Sequence, residues 1–299
     1  MNIGELTRPF RITAGRKFRL SDHRPDARAG LDIGKTEAKA LIAAGTDRLA
    51  ALQNLLYADG RWALLLIFQG MDASGKDGAI RHVMAGLNPL GCQAYAFKAP
   101  SEEERAHDFL WRHACRLPER GRIGIWNRSA YEEVLVVRVH PELLDSQHLP
   151  ERLLTEHVWR ERLEDIAAFE RHLARSGTVI LKFFLHISRE EQKRRFMERL
   201  ERPHKHWKFD RADIEERAHW DRYMKAYEAA IRATAAPHAP WFVLPGDRKW
   251  FSRAVILAAV VGALESLDLS FPEVSEEKLR DIEAARTRLE AEDGEASAA

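Results

Sequence analysis

Runs of apolar residues alternate along the chain with amphipathic segments of helical period. Residues 63–69 (ALLLIFQ) are almost continuously apolar, as expected for a central parallel strand buried on both faces. Further strands are predicted at residues 92–97, 122–126, 179–187 and 241–244. Helices are predicted between and around them, at residues 35–57, 78–85, 102–116, 150–175, 189–200, 210–233 and 251–267. This alternation predicts an α/β fold with a parallel sheet and helices on both faces.

The two ends of the chain lack this alternation. Residues 1–35 are polar and rich in Arg and Gly, so we expect an N-terminal arm that lies over the body of the protein or over a partner subunit. Residues 36–270 are predicted to form the main domain. Residues 271–299 are predicted to form a charged tail with a surface helix and a frayed end. The arm and the exposed final helix favour a homo-oligomer, either a dimer or a tetramer.

Composition narrows the class of protein. Apolar residues make up 45% of the chain, enough for a sizeable core, and 47 Lys and Arg nearly cancel 46 Asp and Glu. This balance argues against a nucleic-acid binder, so any site for a polyanion must come from local clustering. Cys92 and Cys115 show no CxxC spacing and are expected to be small buried residues in a reducing cytosol. No secretory segment is visible and no apolar stretch approaches the roughly 20 residues of a membrane span; we expect a cytoplasmic protein.

A phosphate-binding loop is predicted at residues 70–78 (GMDASGKDG), which match the pattern GxxxxGK. The segment follows a buried strand and precedes a helix, as that motif requires. We expect backbone N–H groups to surround phosphate oxygens and Lys76 to reach a phosphate as a point charge. An ordinary strand-to-helix turn is the alternative. The residues of this loop predicted to bind phosphate are Gly70, Ala73, Ser74, Gly75, Lys76, Asp77 and Gly78.

Two acidic residues distinguish this loop from the common form. Asp77 stands where a Ser or Thr usually holds Mg²⁺, and Asp72 lies inside the loop. A carboxylate among phosphates repels them unless a cation bridges the two. We therefore predict that Asp72 contacts Mg²⁺, with Mn²⁺ as the alternative ion. In the competing interpretation, Asp72 points outwards as a turn residue.

A second set of polar residues, 127–133 (NRSAYEE), follows a predicted strand. The carboxyl ends of parallel strands form the edge at which ligands bind. Arg128 can bind a phosphate in bidentate fashion, and Glu132 or Glu133 can supply a metal ligand or a base. Asn127 stands where P-loop enzymes usually carry Asp. A structural salt bridge is the alternative role for Arg128.

A basic segment at residues 193–211 contains eight Lys or Arg and three acidic residues in an otherwise neutral chain. It lies where P-loop kinases carry a mobile lid, and cationic lids close over phosphoryl groups and exclude water. We predict a helical lid at about residues 201–222, with Arg199, Lys205 and Lys208 binding phosphate. A solvated helix face is the alternative.

Four blocks of sequence, in this order, resemble the polyphosphate kinase 2 family: GMDASGKDG, NRSAYEEVLVVRVH, ILKFFLHIS and RPHKHWKF…WDRYMKAYEAAI. The resemblance covers roughly residues 49–267. It implies a P-loop kinase-like fold and a phosphotransferase that uses inorganic polyphosphate as donor or acceptor for nucleotides, with Mg²⁺.

By position, the resemblance implies that Asp72 organises Mg²⁺ and the accepting phosphate, and that Lys76 and Arg128 hold the phosphates being exchanged. Glu133 is predicted as a second metal ligand. The Asn-Arg-Ser form resembles the subgroup that phosphorylates both AMP and ADP, although Glu133 stands where we expect Asp. The residues predicted to bind the nucleotide are Asn127, Arg128, Glu132 and Glu133.

The sequence therefore predicts an enzyme that moves the terminal phosphate of polyphosphate to ADP, AMP or both, reversibly. ADP, AMP and ATP are the expected partners, with guanine nucleotides as further candidates, and no nucleic acid or membrane is expected. An ATP-dependent nucleoside or nucleotide monophosphate kinase is the first alternative. A non-catalytic phosphate-binding regulator is the second.

Overall fold

A computed structural model describes residues 3–31 and 33–296. The chain divides into two compact units, residues 1–269 and residues 270–299. Residues 1, 2 and 32 of the predicted arm lie outside the described residues. So do the last three residues, where a frayed end is predicted.

The described residues form one sheet with six strands in the order β1-β6-β5-β2-β4-β3. Strands β2 to β6 are parallel to one another, and β1 pairs antiparallel with β6 at one edge. The strands are β1 (Arg11–Ile12), β2 (Ala63–Gln69), β3 (Cys92–Ala96), β4 (Ile123–Asn127), β5 (Thr178–His186) and β6 (Trp241–Pro245). The predicted parallel α/β fold is confirmed, with an antiparallel edge strand that the sequence did not indicate.

The helices of the first unit are α1 (Ile3–Thr7), α2 (Lys35–Asp59), α3 (Lys76–Met84), α4 (Glu102–Arg105), α5 (Trp111–Ala114), α6 (Val136–Val139), α7 (Val158–Arg175), α8 (Arg189–Glu201), α9 (Arg211–Glu215), α10 (Trp220–Thr234) and α11 (Lys249–Glu265). The second unit contains α12 (Glu276–Ala296), which agrees with the helix predicted for the tail. None of the helices formed by the described residues has both the length and the apolar character needed to cross a bilayer.

The order of the strands reverses at β2, which pairs with β5 on one side and β4 on the other. Phe68, near the carboxyl end of β2, lies opposite Phe183 of β5 and Asn127 of β4. Such a reversal opens a crevice at the carboxyl ends of the strands. The segments that follow β2 and β4 are therefore brought together.

Helices cover both faces of the sheet because alternate side chains of its strands point in opposite directions. Leu64, Leu66 and Phe68 of β2 belong to a buried cluster with α2, α3 and α11. On the opposite face, Phe184 and Trp241 pack with residues of α7 and α10. The continuous apolar run of β2 is explained by this double burial, since all seven of its residues are buried.

Three predicted helices differ from the structure by more than two residues at one end or are interrupted, whereas the others agree within two residues. The helix predicted at 102–116 is two short helices, α4 and α5, because the side chain of Asp108 accepts a hydrogen bond from the N–H of Leu110 and forms a local turn. The helix predicted from residue 150 begins at Val158 as α7, after a turn in which Thr155 Oγ1 accepts from the N–H of His157. The helix predicted at 210–233 is α9, a 3₁₀ turn and then α10.

The N-terminal residues of the first unit pack against the rest of that unit. Phe10, Phe18 and Leu20 are buried, and the N–H of Leu20 donates to the carboxylate of Glu228 in α10 over 2.8 Å. These contacts place the described part of the predicted arm on the body of its own chain.

One of the two predictions for the cysteines is wrong. Cys92 is buried at the start of β3, as expected. Cys115 is exposed, because it is the residue that ends the short helix α5 rather than part of a longer helix with a buried face.

Candidate active site

The loop between β2 and α3 has a tight backbone turn that depends on two glycines. Gly70 has a φ of +151° and Gly75 a φ of +102°, values that L-residues rarely adopt. A Cβ at Gly70 would also lie 2.8 Å from Ser74 Oγ and 3.0 Å from the carbonyl oxygen of Leu185. Both glycines are therefore required by the path of the loop.

Lys76 lies at the start of α3 and is buried. Its Nζ donates to the carbonyl oxygens of Gly70 and Met71, the latter at 3.2 Å. Burial lowers the pKa of Lys76, and the nearby positive charge of Arg128 lowers this pKa further. A phosphate bound here would raise the pKa of Lys76 again, because an anion favours the charged form of the amine.

Arg128 lies directly after β4 and faces the loop. Its guanidinium donates to Asp72 over 2.8 Å and to Glu132 over 2.9 Å. Glu132 is the main cause that raises the pKa of Arg128 above its ordinary value, and Asp72 also raises it. The backbone φ of Arg128 is +68°, an uncommon value for a residue with a side chain, and such conformations cluster at functional sites.

The loop, Arg128 and the basic segment surround one cavity of about 460 Å³, which we call the phosphate cavity. Cationic side chains dominate its wall, although four carboxylates are also present. The cationic residues among the described lining are Lys76, Arg81, Arg128, Arg195, Arg199, Lys205, Lys208, Lys249 and Arg253. The acidic residues are Asp72, Asp77, Glu198 and Asp213.

Two cations of the basic segment at residues 193–211 are held by acidic residues. Arg199 lies 3.2 Å from Asp213, and Lys205 lies 2.7 Å from Glu198. Burial raises the pKa of Asp213 to about 6, and the negative charge of Asp72 also raises it. These ion pairs keep Arg199 and Lys205 at the cavity wall while leaving both side chains partly solvated.

A second cavity of about 600 Å³, which we call the acceptor cavity, adjoins the first. Asn127 and Arg128 line both cavities. The remaining wall combines polar groups at the Arg128 end with apolar side chains. The apolar residues among the described lining are Ala96, Phe97, Ala99, Pro100, Val136, Val137 and Leu143.

Glu133 lies in the wall of the acceptor cavity and not in that of the phosphate cavity. Its carboxylate is buried and accepts hydrogen bonds from Arg162 and from Gln147, each over 2.7 Å. Arg162 also donates to Gln147 Oε1 over 2.5 Å, so the three side chains form a closed triangle. The extra methylene of Glu relative to Asp lengthens the reach of this carboxylate towards Arg162.

Comparison with known proteins connects this geometry to a family. The family model for polyphosphate kinase 2 matches residues 32–272, most of the chain. An ADP-polyphosphate phosphotransferase of Rhodopseudomonas palustris is 45% identical over 284 residues, which are 95% of this chain and 98% of the relative. The chain belongs to the polyphosphate kinase 2 family. The resemblance inferred from the four sequence blocks is thereby confirmed.

Other members of the polyphosphate kinase 2 family are similar over nearly the same length. An AMP/ADP-polyphosphate phosphotransferase of Meiothermus ruber is 43% identical over 272 residues, which are 90% of this chain and 98% of the relative. The crystal structure of polyphosphate kinase 2 from Arthrobacter aurescens has a TM-score of 0.84 and 38% identity, and the match covers 95% of this chain and 97% of that one. The prediction of a polyphosphate kinase fold and enzyme class is confirmed.

The polyphosphate kinase 2 fold brings together most of the residues that the sequence predicted for the site. Every predicted phosphate-binding residue except Gly70 lines the phosphate cavity, and Asp72 lines it too. All four residues predicted to bind the nucleotide line the acceptor cavity. Their catalytic and binding roles, including that of Glu133 as a metal ligand, stay predictions.

Sequence reasoning missed six of the described residues that line the phosphate cavity: Arg81, Arg195, Glu198, Asp213, Lys249 and Arg253. For Lys249 and Arg253 a signal existed, because they are four residues apart and therefore share one face of the otherwise apolar α11. Arg195 lay within the predicted basic segment but was not distinguished from its neighbours.

Proposed function

We propose that this protein transfers the terminal phosphate of inorganic polyphosphate to ADP and AMP, reversibly, with Mg²⁺ as cofactor. One observation carries the proposal: a cationic cavity and a partly apolar cavity meet at Asn127 and Arg128. A polyanionic donor and a nucleoside-bearing acceptor can thus approach each other at a single point. The names of the two curated relatives, which specify ADP in one case and AMP and ADP in the other, support the same reaction.

The phosphate cavity suits a donor with many charges. Nine Lys and Arg side chains and four carboxylates of the described residues line it, so the wall keeps a positive excess even where its cations are paired. Such focused positive potential attracts polyanions and raises their local concentration. A polyphosphate chain fits this wall better than a single phosphate group, because the cations extend from the loop to both the lid and α11.

The acceptor cavity suits a nucleotide. Its volume of about 600 Å³ falls within the range of roughly 300–1,000 Å³ typical of small-molecule sites. Its apolar wall, which includes Phe97, Val136 and Val137, can cover a base and ribose. Arg128 at the other end can bind the accepting phosphate in bidentate fashion.

In the proposed reaction, an oxygen of the nucleotide's last phosphate attacks the terminal phosphorus of polyphosphate. The bond between that phosphorus and the next bridging oxygen breaks, and the shortened chain keeps the electron pair. Lys76 and Arg128 hold the phosphates in line and stabilise the charge that spreads over the transferring group. The closed lid would exclude water and so prevent hydrolysis.

The oxygen donors around the loop fit Mg²⁺. Asp72 and Asp77 line the phosphate cavity together with Asn127, whose Nδ2 donates to Asp77 over 2.9 Å and whose Oδ1 is buried without a hydrogen-bond partner. Carboxylates and carbonyl oxygens are the ligands that Mg²⁺ prefers, and it typically uses one or two carboxylates together with substrate phosphates. When bound, the ion would neutralise phosphate charge beside Asp72. Mn²⁺ takes similar ligands.

A donor assay tests the function. The protein is incubated with Mg²⁺, long-chain polyphosphate and either ADP or AMP in the absence of ATP, and the nucleotides are separated by chromatography. We expect ATP from ADP, and ADP followed by ATP from AMP. Phosphorylation that requires ATP would instead indicate a nucleotide monophosphate kinase, and binding without turnover would indicate a regulator.

The remaining features of the proposal are tested separately. GDP and GMP in the same assay would reveal whether guanine nucleotides are accepted. Light scattering coupled to size-exclusion chromatography would test for the dimer or tetramer, and fractionation of cells would test the cytoplasmic location.

A further inference from the structure

Three consecutive carbonyl groups of the phosphate-binding loop are held by one face of α8. Gln192 Nε2 donates to the carbonyl oxygen of Asp72 over 2.9 Å. Arg195 Nη1 donates to the carbonyl oxygens of Ala73 and Ser74 over 3.0 and 2.8 Å. Residues three apart in a helix project from the same side, so α8 acts on this stretch of the loop as a unit.

Arg195 has almost no capacity left for a direct bond to phosphate. Its Nε donates to Glu191 over 2.8 Å, and its Nη2 donates to the carbonyl oxygen of Gly246 over 2.6 Å. A guanidinium has five N–H donors, and the loop, Glu191 and Gly246 occupy four of them. The side chain is also only 5% exposed. Although Arg195 lines the phosphate cavity, its hydrogen bonds are directed at the protein.

Gln192 is oriented by a second arginine. Arg217 Nη1 donates to Gln192 Oε1 over 2.6 Å, which leaves Nε2 to face the carbonyl of Asp72. Arg217 belongs to the 3₁₀ turn before α10, within the predicted lid. The amide of Gln192 therefore joins the lid to the loop.

Fixing these carbonyl groups also fixes the N–H groups of the same peptides. In a trans peptide, the C=O of one residue and the N–H of the next point in opposite directions. Carbonyls drawn towards α8 therefore turn the N–H groups of Ala73 and Gly75 away from it, while the N–H of Ser74 closes a turn onto the carbonyl of Met71 over 3.1 Å. Ala73 and Gly75 both line the phosphate cavity.

We propose that Arg195 and Gln192 are positioning residues that hold the loop carbonyls so that the loop N–H groups face the polyphosphate. Arg195 acts through the loop and not as one of the cations that neutralise the donor. The proposal rests on the assignment of the phosphate cavity to polyphosphate.

The test compares Arg195→Lys and Arg195→Met with Arg194→Met as the matched control. Arg194 is the preceding residue of α8, is largely exposed, and also pairs with Glu191. Binding of tripolyphosphate with Mg²⁺ and no nucleotide is measured by calorimetry, and steady-state kinetics with long-chain polyphosphate and ADP follow. Gln192→Met is a milder second variant, which keeps the side-chain length and removes one carbonyl contact.

We expect both Arg195 variants to bind tripolyphosphate at least about 10-fold more weakly and to lose roughly 100-fold in kcat/KM, since small displacements of catalytic groups have effects of that order. Arg195→Lys should not restore binding, because an ammonium cannot reach three carbonyl groups in a fork. Gln192→Met should show a smaller loss, and Arg194→Met none.

The salt dependence of binding separates positioning from direct contact. A cation that touches a polyanion releases counterions, so its removal reduces the slope of log affinity against log salt. We expect the Arg195 variants to keep the wild-type slope. A reduced slope, full binding by Arg195→Lys, or unchanged binding by both Arg195→Met and Gln192→Met would overturn the proposal. Failure of the wild-type protein to bind tripolyphosphate would instead refute the assignment of the cavity.

Discussion

Replacing Lys182 with methionine should destabilise the main unit strongly, because it leaves a carboxylate buried without its partner. Lys182 lies in β5 with 0% exposure, and its Nζ donates to Glu170, to the hydroxyl of Tyr131 over 3.0 Å and to the carbonyl oxygen of Thr234 over 2.9 Å. All three N–H donors of the ammonium are therefore used. The Tyr131 hydroxyl also lies 2.8 Å from Glu170 Oε1.

The expected magnitude follows from the burial of both charges. Burial raises the pKa of Glu170 and lowers that of Lys182, and the ion pair opposes both shifts. Removing one partner of a buried pair typically costs about 3–5 kcal/mol. At about 2–4 °C per kcal/mol for large domains, Lys182→Met should lower the Tm by roughly 6–20 °C. The double variant Lys182→Met/Glu170→Gln should recover at least half of that loss, because no buried charge is left unpaired.

A double-mutant cycle tests this prediction. The Tm by differential scanning fluorimetry and the free energy of unfolding in urea are measured for the wild type, both single variants and the double variant. The reasoning is refuted if Lys182→Met changes the Tm by less than about 2 °C. It is equally refuted if the double variant is as unstable as the sum of the two single variants.

Three further predictions concern the phosphate cavity. Lys76→Met should lower kcat by roughly 10²–10³-fold, by analogy with removal of one oxyanion donor, and Asp72→Asn should abolish turnover. In both variants the Tm by fluorimetry should stay near that of the wild type. Near-normal rates would contradict the proposed roles of Lys76 and Asp72. Asp213, whose pKa is raised to about 6, gains negative charge as the pH rises from 5 to 7. The affinity for tripolyphosphate, measured by calorimetry, should therefore fall more steeply between pH 5 and 7 in the wild type than in Asp213→Asn. Parallel pH profiles would show that the charge of Asp213 does not affect binding. The double variant Lys249→Gln/Arg253→Gln should raise the KM for long-chain polyphosphate more than that for tripolyphosphate, since both residues line the cavity outside the lid; an equal effect on the two donors would argue against a path over α11.

Local signals were sufficient for the parts of the fold that depend on short-range pattern. The apolar run of β2 and the glycines of the loop predicted the strand, the turn and the following helix, because double burial and positive φ each select few residue types. The two-residue strand β1 carries no such pattern, and its pairing with β6 depends on contacts more than 200 residues away in sequence.

Tertiary contacts also explain what could not be predicted of the site. The sequence predicted a phosphate-binding role for Arg128, but not that Asp72 and Glu132 hold its guanidinium from two sides. The prediction for Glu133 considered its charge and its neighbours in sequence. Arg162, which approaches it from α7, is 29 residues away and has no motif of its own.

Strand β1 limits how far the chain can be shortened from its N-terminal side. Arg11 and Ile12 cover the outer edge of β6 at Phe242 and Trp241, where main-chain groups would otherwise be open to another molecule. An uncovered edge of this kind is a template for intermolecular strand addition. Deletions that reach Arg11 would uncover this edge and favour pairing of β6 with a strand of another molecule.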